Sequence, residues 1–313
     1  MNDVALELVS PELSVLICTR NRPEKLRRAV ASVLANSASN FELIVVDQST
    51  DQLSAQVMAT FGDDRIRYFR TPTVGLAISR NIAIRAARAD TLVFTDDDCV
   101  CDREWLAAIQ AEYANEPRAL GVYGRVLPYG KRDDADLKSV SVSGDLICPA
   151  LNKSTERRVF DGPTVPQREL GGGNNMSFRK EVFRRVGMFN ESLGSGSPMG
   201  TGEDTEFSYR LLWHNCKLVY SPRPLVHHDN WLDRAQFTRM MKVAVRGEAA
   251  VFLSYALRLD RFALVHLLRI AWYLARNRLA IGSATAGLAY FAMGLVLGPK
   301  YRLMKPPRLE AYA

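Results

Sequence analysis

Residues Leu92-Val93-Phe94-Thr95-Asp96-Asp97-Asp98-Cys99-Val100 read LVFTDDDCV, an apolar run that stops at three consecutive carboxylates. A short, continuous apolar run of this kind reads as a buried strand. Adjacent carboxylates repel one another and resist desolvation, so the tip is unfavourable unless positive charge faces it. Asp96 and Asp98, two residues apart, let one carboxylate reach a cation while the other reaches a hydroxyl or water. Hard oxygen ligands suit Mg²⁺ or Mn²⁺, which keep open positions for phosphate oxygens. The bland alternative is a solvated turn or a helix cap for the DREWL segment that follows, and the motif by itself does not decide between them.

Upstream, Leu13–Thr19 (LSVLICT) is a short β-branched strand, and Pro23 opens a helix in which Leu26, Val30, Val33 and Leu34 keep helical spacing. Phe41–Val46 (FELIVV) forms a second strand ending at Asp47, and Ile66–Phe69 a third. Gly75–Ala87 has helical period, and Thr91–Thr95 is the fourth strand. Continuous apolar strands alternating with helices specify an α/β fold with a mostly parallel sheet covered on both faces. Ligands bind outside the carboxyl ends of such strands, so Cys18-Thr19-Arg20, Asp47 and Asp96–Asp98 converge on one rim. The turn ICTRNRP has no glycine, which argues against a dinucleotide fingerprint, and there is no P-loop.

Downstream, Lys131–Glu169 is polar and weakly periodic and reads as an insertion or mobile substrate-side loop. Order returns at GGGNNMSF (Gly171–Phe178), followed by a helix over Arg179–Val186. Gly172 and Gly173 allow close backbone approach, and Asn174 and Asn175 carry amides able to hydrogen-bond a ligand; a simple tight turn explains them equally well. After the glycine-rich Gly194–Gly202, Glu203 and Asp204 begin a helix, where carboxylates suit the positive dipole end. Lys217–Tyr220 is a further strand leading to His227 and His228. Adjacent strand residues point to opposite faces, so at most one of the two histidines coordinates. Five cysteines, with no C-x-x-C pair, read as reduced thiols, and a zinc–thiolate reading of Cys99 and Cys101 finds no second pair.

The formal charge of +7 is unevenly distributed: Trp231 onward holds 13 Lys/Arg against 4 Asp/Glu, leaving 28 against 30 before it. This places the basic excess in a C-terminal helical region (231–313), apart from a catalytic part at 1–230. It favours an anionic membrane surface over a nucleic-acid partner, a solvated basic face being the even alternative. Residues 279–299 carry no formal charge and approach the length of a bilayer span. Their glycines and small polar residues favour an in-plane or docked helix instead. The N-terminal MNDVALELVSPE has no signal-peptide pattern, so the expected place is cytoplasmic, peripheral at the inner face of the cell membrane.

Seven segments carry a resemblance in order along roughly two thirds of the chain: LSVLICTRNRPEKLRRAVASVL, FELIVVDQSTD, GLAISRNIAIRAA, LVFTDDD, GGGNNMSFRKEVFRRVGMFNE, GEDTEFSYRL and SPRPLVHH. Together they resemble the family 2 glycosyltransferases of the GT-A fold. The resemblance implies that Thr19, Arg20 and Asp47 contact the nucleotide, Asp47 at the base, with Arg80 over the base or phosphates. It implies that Asp96, with Asp97 beside it, faces the ribose and donor sugar, and that Asp98 ligates the metal with His228 as a further ligand. Asp204 is then the base and Glu203 an acceptor-positioning partner. Gly173, Asn174 and Asn175 are candidates for sugar contacts. Gln48 stands where many relatives have an acidic or glycine-containing turn, which leaves the donor base open.

The expected activity is metal-dependent, inverting transfer of a sugar from a nucleotide-diphosphate donor to an acceptor hydroxyl, in cell-envelope polysaccharide or glycolipid synthesis. UDP is the first expected donor nucleotide and dTDP the second, with a sugar or lipid-linked acceptor. The rivals are a sugar nucleotidyltransferase, disfavoured by the glycine-free first turn, and an inactive membrane-docked binding subunit, disfavoured by the intact acids. The C-terminal helices also suit a homo-oligomer interface.

Overall fold

The computed structural model describes residues 10–130, 140–143, 145–149, 152, 154–162, 169–276, 284–303 and 307–309. Strands β1 (Leu13–Thr19), β2 (Phe41–Asp47), β3 (Ile66–Arg70) and β4 (Thr91–Asp96) pair in parallel in the spatial order β3-β2-β1-β4. Every residue of β2 is buried, as expected for a strand covered on both faces. Helix α1 (Pro23–Leu34) starts at its proline and buries Leu26, Ala29, Val30 and Val33. Helix α3 (Leu76–Ala86) carries Arg80 on its buried side.

Beyond β4 the sheet is completed by strands distant in sequence. β10 (Asn175–Arg179) runs antiparallel between β4 and β6 (Gly121–Pro128). β11 (Leu218–His228) lies parallel to β6, and β5 (Cys99–Cys101) runs antiparallel along β11. Because β10 is reversed, its first residue pairs with Thr95, so the Gly171–Asn174 turn arrives at the rim where β1, β4, β6 and β11 end. That reversal makes the sheet mixed, although its main run is parallel. A register shift between Tyr220 and Leu225 interrupts β11 where Pro222 and Pro224 cannot donate to the ladder.

Several boundaries differ from the sequence expectations. Arg179, expected to open a helix, closes β10, because Phe178 and Arg179 still pair with Leu92 and Thr91; α5 (Glu181–Val186) begins after Lys180. Strands β10 and β6 lack clean alternation, since both faces are covered, and periodicity does not reveal them. The polar stretch 131–169 lies partly outside the described residues. Where described it forms a hairpin, β7 (Val140–Ser143) with β8 (Leu146–Pro149), and β9 (Arg158–Phe160), which pairs with β11. It is therefore more than a plain loop.

At the C-terminal end, α7 (Arg234–Ala256) opens with a capping box between Asp233 and Gln236. Asp260 accepts the Phe262 and Ala263 amides at the start of α8 (Arg261–Arg276). α9 (Ala284–Leu303) crosses α7 so closely at Gly294 that a Cβ there would lie 2.3 Å from the Arg246 carbonyl oxygen. Glycine is what permits that crossing, and the uncharged 279–299 stretch, as far as it is described, docks on α7. Among the described residues, no helix is long and apolar enough to cross a membrane. A buried cluster joins Phe252 and Tyr255 of α7 and Leu267 and Ile270 of α8 to Leu193 and Met199, which precede α6 (Glu203–Trp213), and to Tyr209 on it.

Candidate active site

The strand ends and the start of α6 enclose a cleft of about 450 Å³, within the size range of small-ligand sites. It is lined by Thr19, Arg20, Arg80, Asp96, Asp97 and Asp98 from the sheet side, and by Gly173, Asn174, Glu203, Asp204 and His228 from the other. Thus eleven of the thirteen expected site residues meet in one concavity.

The three carboxylates are each paired. Asp96 faces Arg80 at 3.2 Å and Asp97 faces Arg22 at 3.1 Å. Asp98 meets Arg22 at 3.1 Å, His228 at 3.3 Å and Lys25 at 3.6 Å. Thr19 donates its hydroxyl to Asp97 at 2.7 Å. Burial pushes Asp97 up to about 6, with Asp98 adding to the effect and Arg22 opposing it. Burial also raises Asp96, partly offset by Arg80. For Asp98 the same burial penalty is outweighed by His228, Arg22 and Lys25, and its carboxyl lies below the ordinary range. His228 is moved the other way: against burial, Asp98 holds the imidazolium and pushes it up to about 10.

These donors fit a divalent ion. Two adjacent ligands of a six-coordinate ion, each at about 2.1 Å, stand about 3 Å apart, close to the separation of Asp98 Oδ1 and His228 Nε2. The other imidazole nitrogen, Nδ1, is buried without a hydrogen-bond partner. Cys99 also lies within reach, its ligand atom within 4.8 Å of the other two. Burial pushes the Cys99 thiol well above its ordinary value, and a soft sulfur ligand suits Mg²⁺ or Mn²⁺ less than the carboxylate oxygen and imidazole nitrogen of the other two. His227 is only half-buried and pairs with Val100 on β5, consistent with one histidine of the pair facing the site.

Arg80 ties the two acidic motifs together. It is 3% exposed and donates to Glu203 at 2.9 Å, to Asp96 at 3.2 Å and to the Gly173 carbonyl at 3.1 Å. The Gly173 amide in turn donates to Asp204 Oδ2 at 2.8 Å. A Cβ on residue 173 would fall 2.5 Å from the Arg80 guanidinium, so a larger residue there would push that group off its partners. Burial and the neighbouring Asp204 raise the Glu203 carboxyl, against the pull of Arg80. Asp204 remains partly open to the cleft, anchored by the Gly173 and Thr205 amides. Of the two acids, it is the one with access to a ligand.

Two expected residues are turned away from the cleft. Asp47 is wholly buried; it accepts the Ser49 amide and the Tyr68 hydroxyl, and Gln48 lines the cleft in its place. Asn175 accepts the Trp105 indole N–H and donates to the Arg125 and Pro224 carbonyls, so its amide holds the sheet together. Asn174, by contrast, is on the cleft, and its buried Oδ1 has no partner. Arg80, expected over a base or phosphate, is occupied by carboxylates. Sequence reasoning missed Arg22 and Lys25 as partners of the acids. Their signal was an arginine in the β1–α1 turn and a lysine in the first turn of α1. It also missed Ser195 and Gly196, held at the rim by the Leu76 amide, which donates to the Ser195 carbonyl at 2.8 Å.

Solved structures show the same architecture. A mannosyltransferase from Pyrobaculum calidifontis in complex with GDP-Man and Mn²⁺ superposes with a TM-score of 0.59 at 18% identity, covering 95% of this chain and 82% of that one. Staphylococcus aureus TarS gives a TM-score of 0.55 at 14% identity, covering 90% of this chain and 43% of that one. The fold is that of the GT-A glycosyltransferases. Residues 14–186, more than half of the chain, match the model of glycosyl transferase family 2, and the protein belongs to that family of enzymes. It is 24% identical over 232 residues to the glucosyl-dolichyl phosphate glucuronosyltransferase of Haloferax volcanii, covering 72% of each chain. It is 25% identical over 236 residues to the pre-mycofactocin glycosyltransferase of Mycobacterium tuberculosis, covering 72% of this chain and 46% of that longer protein.

Proposed function

We propose that the protein transfers one sugar from a nucleoside-diphosphate donor to an acceptor hydroxyl with inversion at the anomeric carbon. The observation that carries this reading is the position of Asp204 at the head of α6. Its carboxylate is held by two backbone amides and accessible from the cleft, opposite the Asp96–Asp98 cluster. A carboxylate so placed takes the proton of an attacking hydroxyl. Glu203 beside it is buried and ion-paired to Arg80, so it is not free to act as a second nucleophile. One available carboxylate favours direct displacement. Glu203 holds Arg80, and through it Gly173 and Asp204, in register with Asp96.

Asp98 and His228 would hold the divalent ion, Mn²⁺ or Mg²⁺. When bound, such an ion neutralises charge on the departing diphosphate. Thr19 and Arg20, which line the cleft, would meet the nucleotide, Asp96 and Asp97 the ribose and donor sugar, and Asn174 a sugar hydroxyl. The donor carries UDP or, second, dTDP, and GDP-mannose, present in the Pyrobaculum neighbour's complex, is the third to try. The acceptor is a sugar or lipid-linked glycan of the kind used in envelope polysaccharide or glycolipid assembly.

The test is turnover of nucleotide sugars by purified protein with and without Mn²⁺. Metal-dependent release of nucleoside diphosphate, lost in Asp98→Ala, is the expected result. Pyrophosphate release from a nucleoside triphosphate would instead place the protein among nucleotidyltransferases.

A further inference from the structure

Helix α8 is apolar on opposite sides. Ala263, Leu267, Ile270 and Leu274 face inward and are buried. Leu264, Val265, Leu268 and Trp272 follow the spacing of a single helix face and point outward, with Leu268 62% and Trp272 60% exposed. Leu259, in the turn before the helix, is 95% exposed. α9 carries a second outward stripe with Leu288, Met293 and Val296. Isolated exposed leucines are ordinary, but Leu259, Leu264, Val265 and Leu268 exposed side by side mark an interaction surface.

The charges around this face say what covers it. Arg258, Arg261 and Arg269 are exposed beside the stripe. Asp260, the one acid between residues 257 and 276, is buried; it caps α8 and accepts the Tyr209 hydroxyl. From residue 257 to the end there are nine Lys/Arg and two Asp/Glu, a net charge equal to the +7 of the entire chain. A two-fold contact with a second copy would bring these same arginines against each other, which like-charge repulsion opposes. Among the described residues, the exposed charges beside the strip are Arg258, Arg261 and Arg269, and an apolar strip with such a border matches the acyl–headgroup boundary of an anionic bilayer.

We infer that the outer face of α8, extended by Leu259 and its bordering arginines, seats the enzyme in the surface of an anionic membrane. α8 lies in the plane of that surface and does not cross it. The seat is joined to the catalytic helix: Tyr209 donates to Asp260 at 2.6 Å and Tyr255 donates to Glu206 at 2.8 Å, and Tyr209 and Glu206 both lie on α6, whose first turn bears Asp204. Docking therefore fixes the height of the cleft above the lipid. This surface is separate from the cleft, so the inference stands or falls independently of the sugar-transfer reading.

The test is co-sedimentation of the full chain with phosphatidylcholine vesicles, with and without about 30% phosphatidylglycerol, at about 0.15 M salt. The expected result is binding to the anionic vesicles only. Leu268→Glu with Trp272→Glu should weaken it at least tenfold, as should Arg258→Ala, Arg261→Ala and Arg269→Ala combined, with the melting temperature and nucleotide binding of the protein unchanged. Trp272 emission should shift to the blue on the vesicles and be quenched by brominated acyl chains. Equal binding by wild type and the double variant overturns the inference. So does a wild-type dimer that fails to bind vesicles and becomes monomeric on the same two substitutions, which would assign the face to a second copy.

Discussion

The acidic rim and the outer face of α8 both break a local rule, and they differ in how the break is compensated. At the rim, carboxylates crowd a strand tip, yet Arg22, Lys25, Arg80 and His228 answer each of them from within the chain. On α8, Leu264, Val265 and Leu268 are exposed on one face of the helix. A site whose opposing charges are already in place is preorganised for a polar ligand. An exposed apolar face bordered by arginines is instead suited to an apolar, anionic surface.

The largest effect should come from removing the one open acid of the rim. Asp204→Asn keeps the shape but not the basicity, and transfer should fall by about 10²–10⁴-fold with nucleotide binding retained; a loss under tenfold would remove Asp204 from the role of base. Arg80→Met tests whether the rim is balanced from within. With Glu203 and Asp96 left unanswered, the unfolding free energy should drop by about 3–5 kcal/mol, as when one partner of a buried ion pair is deleted. Chemical denaturation reads this directly, and vesicle binding through α8 should survive below the lowered melting temperature.

His228 sharpens the comparison through pH. Its folded-state value of about 10 lies above the ordinary 6.5, so its contribution is fully present below 6.5 and is lost as pH rises through 10. In chelator-containing buffer, the melting temperature of His228→Gln should trail the wild type most near about pH 6 and least near about pH 10. A gap that widens with pH would show that Asp98 does not hold a charged imidazole. The smallest effect is expected at the joint between the two regions. Tyr209→Phe loses the hydrogen bond to Asp260 and should cost about 1 kcal/mol of stability, leaving both turnover on a soluble acceptor and vesicle binding within about twofold.

Much of the rim was legible because its elements are local. Each of β1, β2 and β4 is a continuous apolar run ending in a polar residue, and the parallel-sheet rule places those ends together. Arg22 was in view in the first turn, but its pairing with Asp97 and Asp98 depends on how α1 leaves β1. Asn175 illustrates the opposite difficulty. An asparagine beside glycines suits a sugar, yet insertion of β10 between β4 and β6 directs its amide to Trp105, Arg125 and Pro224. Asp47 is similar: the strand end was readable, whereas the Tyr68 hydroxyl that occupies its carboxylate comes from the neighbouring strand.

The order of apolar runs, the acids at their ends and the basic bias of the last residues were determined by sequence alone, because each follows from neighbours a few positions apart. Which acid stays open, which asparagine faces the cleft, and which side of α8 meets solvent were decided by tertiary structure. Those outcomes depend on contacts between residues many tens of positions apart: Arg80 with Glu203, Asp98 with His228, and Tyr209 with Asp260. Burial and pairing of charge are properties of the packed molecule, and no periodicity in the chain encodes them.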